Sequence, residues 1–201
     1  MNKNLKLILL GILFIALIAG ATVLYDYLGS SAAPEQLATE PPAPTGDTGP
    51  SDEASDPQRT AAPDFTVLDI EGNERKLSEF IGKPIILNFW ASWCGPCKME
   101  MPDFDEAYQE YGDRIHFLMV NCTTSSRETM DRAKALIADE GFSFPVYFDT
   151  TGEASGIYGA YSIPLTYFID AEGYLEAYAS GAIDRETLQI GIDRIYTPQA
   201  E

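Results

Sequence analysis

From residue 63 onward, short apolar runs alternate with longer stretches in which apolar residues recur at helical spacing. A nearly continuous apolar run is typical of a strand buried on both faces, and apolar residues three to four positions apart are typical of a packed helix. We expect strands at 65–68, 75–77, 84–90, 115–121, 144–148, 165–169 and 174–179, and helices at 78–81, 96–111, 125–140, 152–158 and 183–196. This order predicts an α/β fold in which helices cover both faces of a mixed sheet.

Three local signals refine the helices. Ser125 and Glu128 have the spacing of a capping box, which predicts that a helix begins between them. Pro102 lies inside the first long helix and predicts a kink there. Asp184 is a favourable N-cap for the last helix.

The N-terminal region carries an uncharged apolar segment at residues 7–25. At about 1.5 Å per residue this helix would span roughly 28 Å, close to the thickness of a bilayer core. Lys3 and Lys6 precede it, which predicts a cytoplasmic N-terminus and a single-pass anchor. The small residues 19–21 leave a cleaved signal peptide as the alternative, although apolar residues 23–25 continue past that site. Both interpretations place the rest of the chain across the membrane, on the extracytoplasmic side.

The segment 26–62 has a different composition, because it contains six of the 13 prolines and lacks apolar periodicity. Such a segment cannot form a buried face, so we expect a disordered linker that reaches roughly 35 Å as a flexible chain. The predicted organisation is a cytoplasmic stub at 1–6, the anchor, this linker, one domain at 63–197 and a tail at 198–201.

The chain of 201 residues carries 31 acidic and 13 basic side chains, for a net charge of −18. This charge disfavours nucleic-acid binding, which needs a basic surface. A hydrophobic fraction of 45% with 10 Phe, 11 Tyr and 2 Trp is sufficient for a folded core. The acidity also predicts electrostatic steering of cationic targets at low salt.

The candidate chemistry lies in the CxxC motif Cys94-Gly95-Pro96-Cys97, directly after a predicted buried strand and at the start of a helix. The helix N-terminus stabilises an anion, so we expect the pKa of the Cys94 thiol to be lowered. Cys97 lies one turn further along and can attack a mixed disulfide formed at Cys94. A CxxC motif in a strand–helix context is a strong signal for a redox-active disulfide.

Two further residues, Cys122 and His116, could in principle bind a metal or react. A zinc site would need two further ligands, for which the chain offers only Cys122 and His116. Cys122 is predicted to be a small buried hydrophobe, with a second resolving thiol as the alternative. His116 lies in an apolar strand and is predicted to be a packed core residue. We therefore expect neither a metal nor another cofactor.

Residues 87–98, LNFWASWCGPCK, are similar to the active-site segment of the thioredoxin superfamily. Residues 163–170, IPLTYFID, resemble the second landmark of that family, a cis-proline that opens an antiparallel strand. The resemblance spans about 63–197 and implies a thioredoxin-like fold. Further features resemble the membrane-anchored TlpA/ResA-like thiol–disulfide oxidoreductases. They are the anchor, APDF at 62–65, GKP at 82–84, KMEMP at 98–102, and an inserted helix and strand between Ser125 and Asp149.

This resemblance implies reduction of protein disulfides outside the cytoplasmic membrane, in cytochrome c biogenesis or in another pathway of thiol redox homeostasis. Typical substrates of the subfamily are the CxxCH motifs of apocytochromes c. Electrons typically come from a membrane protein of the CcdA/DsbD type, and the anchor would contact membrane lipid.

The resemblance also assigns roles to single residues. Glu100 matches a functional glutamate near the cysteines, which would act as a proton acceptor or as a modulator of their pKa. Asn88 stands where the superfamily has a buried aspartate, and because Asn88 cannot ionise, the expectation for Glu100 is stronger. By the same resemblance, Pro164 is expected to face the disulfide. Substrate contacts are expected from Trp93, Gly95, Pro96, Ile163 and Pro164.

Competing functions differ in what they require. A disulfide-forming oxidant would use the same residues at a higher reduction potential. A thiol peroxidase has the pattern Pro-x-x-x-Thr/Ser-x-x-Cys, but Leu87 and Ala91 occupy those positions before Cys94. A copper-delivery module needs a wider cysteine spacing, and a non-catalytic domain would need no cysteine at all.

Overall fold

The computed structural model describes residues 38, 59–124 and 126–197, which contain a mixed seven-stranded sheet with helices on both faces. The strands are β1 (Thr66–Leu68), β2 (Glu74–Lys76), β3 (Ile85–Trp90), β4 (His116–Asn121), β5 (Val146–Phe148), β6 (Leu165–Ile169) and β7 (Leu175–Ser180). The helices are a 3₁₀ turn (Leu77–Phe80), α1 (Gly95–Tyr111), α2 (Met130–Glu140), α3 (Glu153–Ile157) and α4 (Arg185–Ile195). The predicted fold class is confirmed.

The spatial order of the strands is β2-β1-β5-β4-β3-β6-β7. Strands β3, β4 and β5 are parallel, whereas β6 is antiparallel to β3, β7 to β6, and β1 to both β2 and β5. The helix α2 and the strand β5 fill the stretch expected as an insertion.

The central strand β3 is buried at all six positions. Successive side chains of a strand point to opposite faces, so β3 serves two hydrophobic cores. Ile86 and Trp90 pack in one core with α1 and α4, while Ile85, Leu87 and Phe89 pack in the other with the 3₁₀ turn and α3. The continuous apolar run that predicted this strand reflects burial from both sides.

The antiparallel pairing of β6 with β3 positions the site. Phe89 lies opposite Leu165, so the start of β6 is at the same edge of the sheet as the end of β3. Pro164 directly precedes β6, and the CxxC motif follows β3 after three residues. The two segments that are far apart in the chain therefore meet at one edge of the sheet.

The predicted capping box at the start of α2 is wrong. The helix begins at Met130, and the Thr129 side chain caps it by accepting a hydrogen bond from the Arg132 N–H. Glu128 is buried and bonds the active-site loop instead, because the parallel neighbours β3 and β4 bring that loop beside it. Ser125 lies outside the described residues. Helix α1 continues through Pro102 without interruption.

The C-terminal end of the predicted linker pairs with the sheet. The Ala62 N–H donates to Gly173 at 2.8 Å, and Arg59 forms ion pairs with Asp170 and Glu176. Strand β7 is at an edge, where unpaired backbone groups favour such additional pairing. Residues 60–62 of the predicted disordered linker are thus paired with the sheet, because backbone pairing needs no buried apolar face.

The predicted stub at 1–6, the anchor at 7–25, most of the linker at 26–58 and the tail at 198–201 lie outside the described residues. Of the helices in the described ranges, none has the length and apolar character needed to cross a bilayer.

Candidate active site

Cys94 and Cys97 form a disulfide at the N-terminus of α1. Cys94 is the N-cap, and its sulfur accepts a hydrogen bond from the Cys97 N–H at 3.2 Å. After reduction, this N–H and the helix dipole would stabilise negative charge on Cys94. The geometry therefore supports the prediction that Cys94 is the nucleophile.

The two cysteines differ in their surroundings. Cys97 is fully buried, whereas Cys94 retains 4% exposure and its neighbours Gly95 and Pro96 are exposed. Trp93 is 45% exposed beside it, a large apolar surface next to the disulfide. An incoming protein disulfide can therefore approach Cys94 but not Cys97.

The Ile163–Pro164 peptide bond is cis, as the resemblance implied. The Ile163 carbonyl oxygen lies 3.7 Å from the Cys94 sulfur. The Pro164 carbonyl accepts a hydrogen bond from the Gly181 N–H at 2.9 Å, which ties this turn to the residue after β7. The structure thus brings Ile163 and Pro164 to the disulfide, and their contact with substrate stays a prediction.

Glu100 lies on α1, one turn after Cys97, and is 2% exposed. One carboxylate oxygen accepts a hydrogen bond from Asn88 Nδ2 at 2.9 Å, and the other accepts one from the Ile183 N–H at 3.0 Å. Burial raises the pKa of Glu100 to about 7, even though both hydrogen bonds oppose that shift. A carboxyl group with this pKa can accept or release a proton at neutral pH.

Asn88 links Glu100 to the strand that follows Pro164. Its Nδ2 donates to both the Glu100 carboxylate and Thr166 Oγ1, the latter at 3.0 Å. Its Oδ1 is buried without a hydrogen-bond partner among the described residues. The amide therefore holds the Glu100 carboxylate in place without contributing an ionisable group.

The pKa of Glu100 predicts a pH dependence of stability. In the oxidised native state Glu100 keeps its proton up to about pH 7, whereas its ordinary pKa is 4.5. Between these values the native state binds the additional proton, so the free energy of unfolding falls as the pH rises, by about 3 kcal/mol in total. Glu100→Gln should flatten this dependence in urea titrations between pH 4.5 and 7.5. An equally steep dependence in the variant would assign it to other groups.

Sequence reasoning missed two residues of the site, Arg127 and Glu128. The Glu128 carboxylate accepts hydrogen bonds from the Ser92 N–H at 3.0 Å, from Ser92 Oγ at 2.7 Å and from Asn121 Nδ2 at 2.8 Å. The Arg127 guanidinium lies 4.3 Å from the centre of the Trp93 ring. Pairing the two predicted strands 84–90 and 115–121 in parallel could have indicated these residues, because the loops after two parallel neighbours lie at the same edge of the sheet.

Cys122 and His116 do not contribute to the disulfide site. Burial raises the pKa of the Cys122 thiol to about 11, so the thiol is protonated at neutral pH and packs against the second core. This burial supports its interpretation as a small hydrophobe. His116 lies at the start of β4, the opposite end of the sheet, with its ring edge-on to Phe80 and its pKa lowered by burial.

In this thioredoxin-like sheet, one cysteine caps the helix that follows the central strand, a second cysteine lies one turn further on, and a cis-proline lies beside them. This combination defines a thiol–disulfide oxidoreductase of the thioredoxin type. The chain belongs to the AhpC/TSA family, whose sequence profile matches residues 59–178.

Two curated relatives and one solved structure place the chain more closely. It is 31% identical over 132 residues to the thioredoxin-like protein YneN of Bacillus subtilis, covering 66% of this chain and 76% of YneN. It is 31% identical over 137 residues to the thiol–disulfide oxidoreductase ResA of Geobacillus thermodenitrificans, covering 68% and 76%. The crystal structure of the exposed lipoprotein thioredoxin Etrx1 of Streptococcus pneumoniae is similar with a TM-score of 0.57 and 32% identity, covering 65% of this chain and 99% of Etrx1. The protein is a protein-disulfide oxidoreductase of the ResA-like type.

Proposed function

We propose that this protein is a membrane-tethered reductase of protein disulfides on the extracytoplasmic side of a bacterium. The observation that carries the proposal is the position of the Cys94 sulfur, which caps α1 and lies 3.7 Å from the carbonyl before Pro164. The uncharged apolar segment at 7–25 supports the tether. The similarity to a lipoprotein described as exposed supports the compartment.

In the reductive direction, the Cys94 thiolate attacks one sulfur of the substrate disulfide. A mixed disulfide forms, and the other substrate sulfur leaves as a thiolate. Cys97 then gives its proton to Glu100, one helical turn away, and attacks the Cys94 sulfur. The Cys94–Cys97 disulfide forms and the second substrate sulfur leaves. Two electrons pass to the substrate, and a dithiol donor must later return two to the enzyme.

The direction and the partners rest on resemblance. Gly95 and Pro96 form the dipeptide found between the cysteines of reducing thioredoxins. In TlpA/ResA-like proteins the substrates are typically apocytochrome c CxxCH motifs, and the donor is of the CcdA/DsbD type. We propose the same roles here, with a disulfide-forming oxidant as the alternative.

The reduction potential of the Cys94–Cys97 couple tests the direction. Equilibration with glutathione buffers, followed by mass spectrometry of the alkylated protein, should give a potential near or below about −200 mV. A value near about −120 mV would place the protein at the oxidising end of the family and support the oxidant. The Cys122→Ser variant is the matched control, because its potential should equal that of the wild type.

The residues before Cys94 do not support the thiol peroxidase alternative. Leu87 and Ala91 are fully buried apolar residues, so neither provides the proline or the hydroxyl of the peroxidase pattern before Cys94.

A further inference from the structure

A cationic group lies at the rim of the disulfide site. The Arg127 guanidinium is 4.3 Å from the centre of the Trp93 ring, and Trp93 directly precedes Cys94. Both side chains are exposed. An arginine stacked on an aromatic ring is held by the cation–π attraction while its N–H groups stay free at the edge of the plane to bind an anion.

The backbone at Arg127 and at the residue that follows it is held by hydrogen bonds. The next residue, Glu128, is 2% exposed and accepts two hydrogen bonds from Ser92 and one from Asn121. The Arg127 carbonyl accepts a hydrogen bond from Arg132 Nη1 at 2.8 Å. The loop that carries Arg127 is therefore hydrogen-bonded to the loop that carries Trp93. These bonds set the backbone position of Arg127, and the stacking on Trp93 orients its guanidinium.

Among the described residues, no carboxylate forms an ion pair with the Arg127 guanidinium. Three other arginines of the described ranges, Arg59, Arg75 and Arg185, form ion pairs with carboxylates, and Arg127 forms none there. Arg114, Arg132 and Arg194 likewise form no ion pair within these ranges. What distinguishes Arg127 is its position, because its exposed guanidinium lies on Trp93, the residue before Cys94.

We propose that Arg127 is a specificity-determining residue that favours substrates with a carboxylate next to the disulfide attacked by Cys94. The inference rests on the proposed function, since it names the substrates on which that chemistry acts. Arginine recognises carboxylates through paired, charge-assisted hydrogen bonds. This contact differs from long-range steering by the net charge, which is screened beyond about 8 Å at physiological ionic strength.

The test compares three synthetic peptides that each contain one disulfide and differ only in a Glu, Gln or Lys beside the first cysteine. Second-order rates of thiol–disulfide exchange are measured near 0.15 M salt for the wild type, Arg127→Gln and Arg114→Gln. Arg114 is the matched control because it also stacks on an aromatic ring, Tyr111 at 5.2 Å, but precedes β4 at the opposite end of the sheet.

The wild type should prefer the Glu peptide over the Lys peptide by about fivefold, the size expected for one oriented surface ion pair. Arg127→Gln should bring this ratio to one or below, because the acidic chain then no longer offers a partner for the Glu peptide, and Arg114→Gln should retain the preference. A wild type without the preference, or an Arg127→Gln variant that keeps it, would overturn the inference. Absence of exchange with the Gln peptide in the wild type would instead overturn the proposed function, so the two failures are distinguishable.

Discussion

Replacing Cys94 by serine is expected to abolish disulfide exchange, with a loss of roughly a thousandfold or more, because a serine hydroxyl is not ionised at neutral pH and cannot replace the thiolate. The fold should be retained, since Cys94 is at the N-cap, a position where serine is itself a favourable residue. Reduction of a fluorogenic protein disulfide measures the effect. Retained exchange in Cys94→Ser would show that another group is the nucleophile.

Cys97→Ala should behave differently, because Cys94 can still attack the substrate disulfide but no second thiol can resolve the mixed disulfide. Cys94 would then stay joined to its substrate in a mixed disulfide, visible as a reducible mass shift on non-reducing gels of whole cells. Mass spectrometry of the adduct identifies the substrate, and an apocytochrome c would support the proposed pathway. Cys122→Ser should form no such adduct. Cells in which Cys97→Ala forms no adduct through Cys94 would contradict exchange with protein substrates.

Gly191→Ala is expected to destabilise the fold by about 2 kcal/mol. Gly191 is buried in α4, and a Cβ built there would overlap the ring of Phe168 on β6. Overpacking of this kind costs up to about 3 kcal/mol, and the better helix propensity of alanine offsets about 1 kcal/mol. Urea unfolding at constant pH, followed by tryptophan fluorescence, measures the difference.

The matched control for this substitution is Gly156→Ala in α3, where an added Cβ meets no atom within 4 Å. Its stability should be unchanged or slightly higher, since only the propensity term applies. Equal effects of the two substitutions would show that α4 moves away from β6 without cost. The two variants are expected to differ because Phe168, which the Cβ at position 191 would overlap, is fully buried and has no free space to occupy.

Much of this architecture follows from local patterns. The apolar run at 84–90 predicted β3, and Asp184 does cap α4 by accepting a hydrogen bond from the Thr187 N–H at 2.9 Å. The position of CxxC between a strand and a helix predicted the N-terminal placement of Cys94. Such features depend on residues close in the chain, so periodicity and helix-end chemistry are enough to find them.

The capping-box prediction failed because a contact between distant segments overrode a local pattern. Ser125 and Glu128 have the spacing that local chemistry uses at a helix start, but Glu128 finds three donors in Ser92 and Asn121 and is buried by them. A carboxylate taken out of water needs such partners more than a helix end needs one acceptor. No local pattern distinguishes the two outcomes.

The amino-acid order alone therefore settled the class of fold, the two reactive cysteines and the chemistry available to them. The packing of distant segments decided how that chemistry is tuned. Antiparallel pairing of β6 with β3 brings Pro164 to Cys94, and the parallel pairing of β3 with β4 places Arg127 on Trp93. Burial gives Glu100 a pKa of about 7, against the opposing hydrogen bonds from Ile183 and Asn88. Strand register and burial arise from contacts between residues far apart in the chain, and these contacts form only when the whole sheet is assembled.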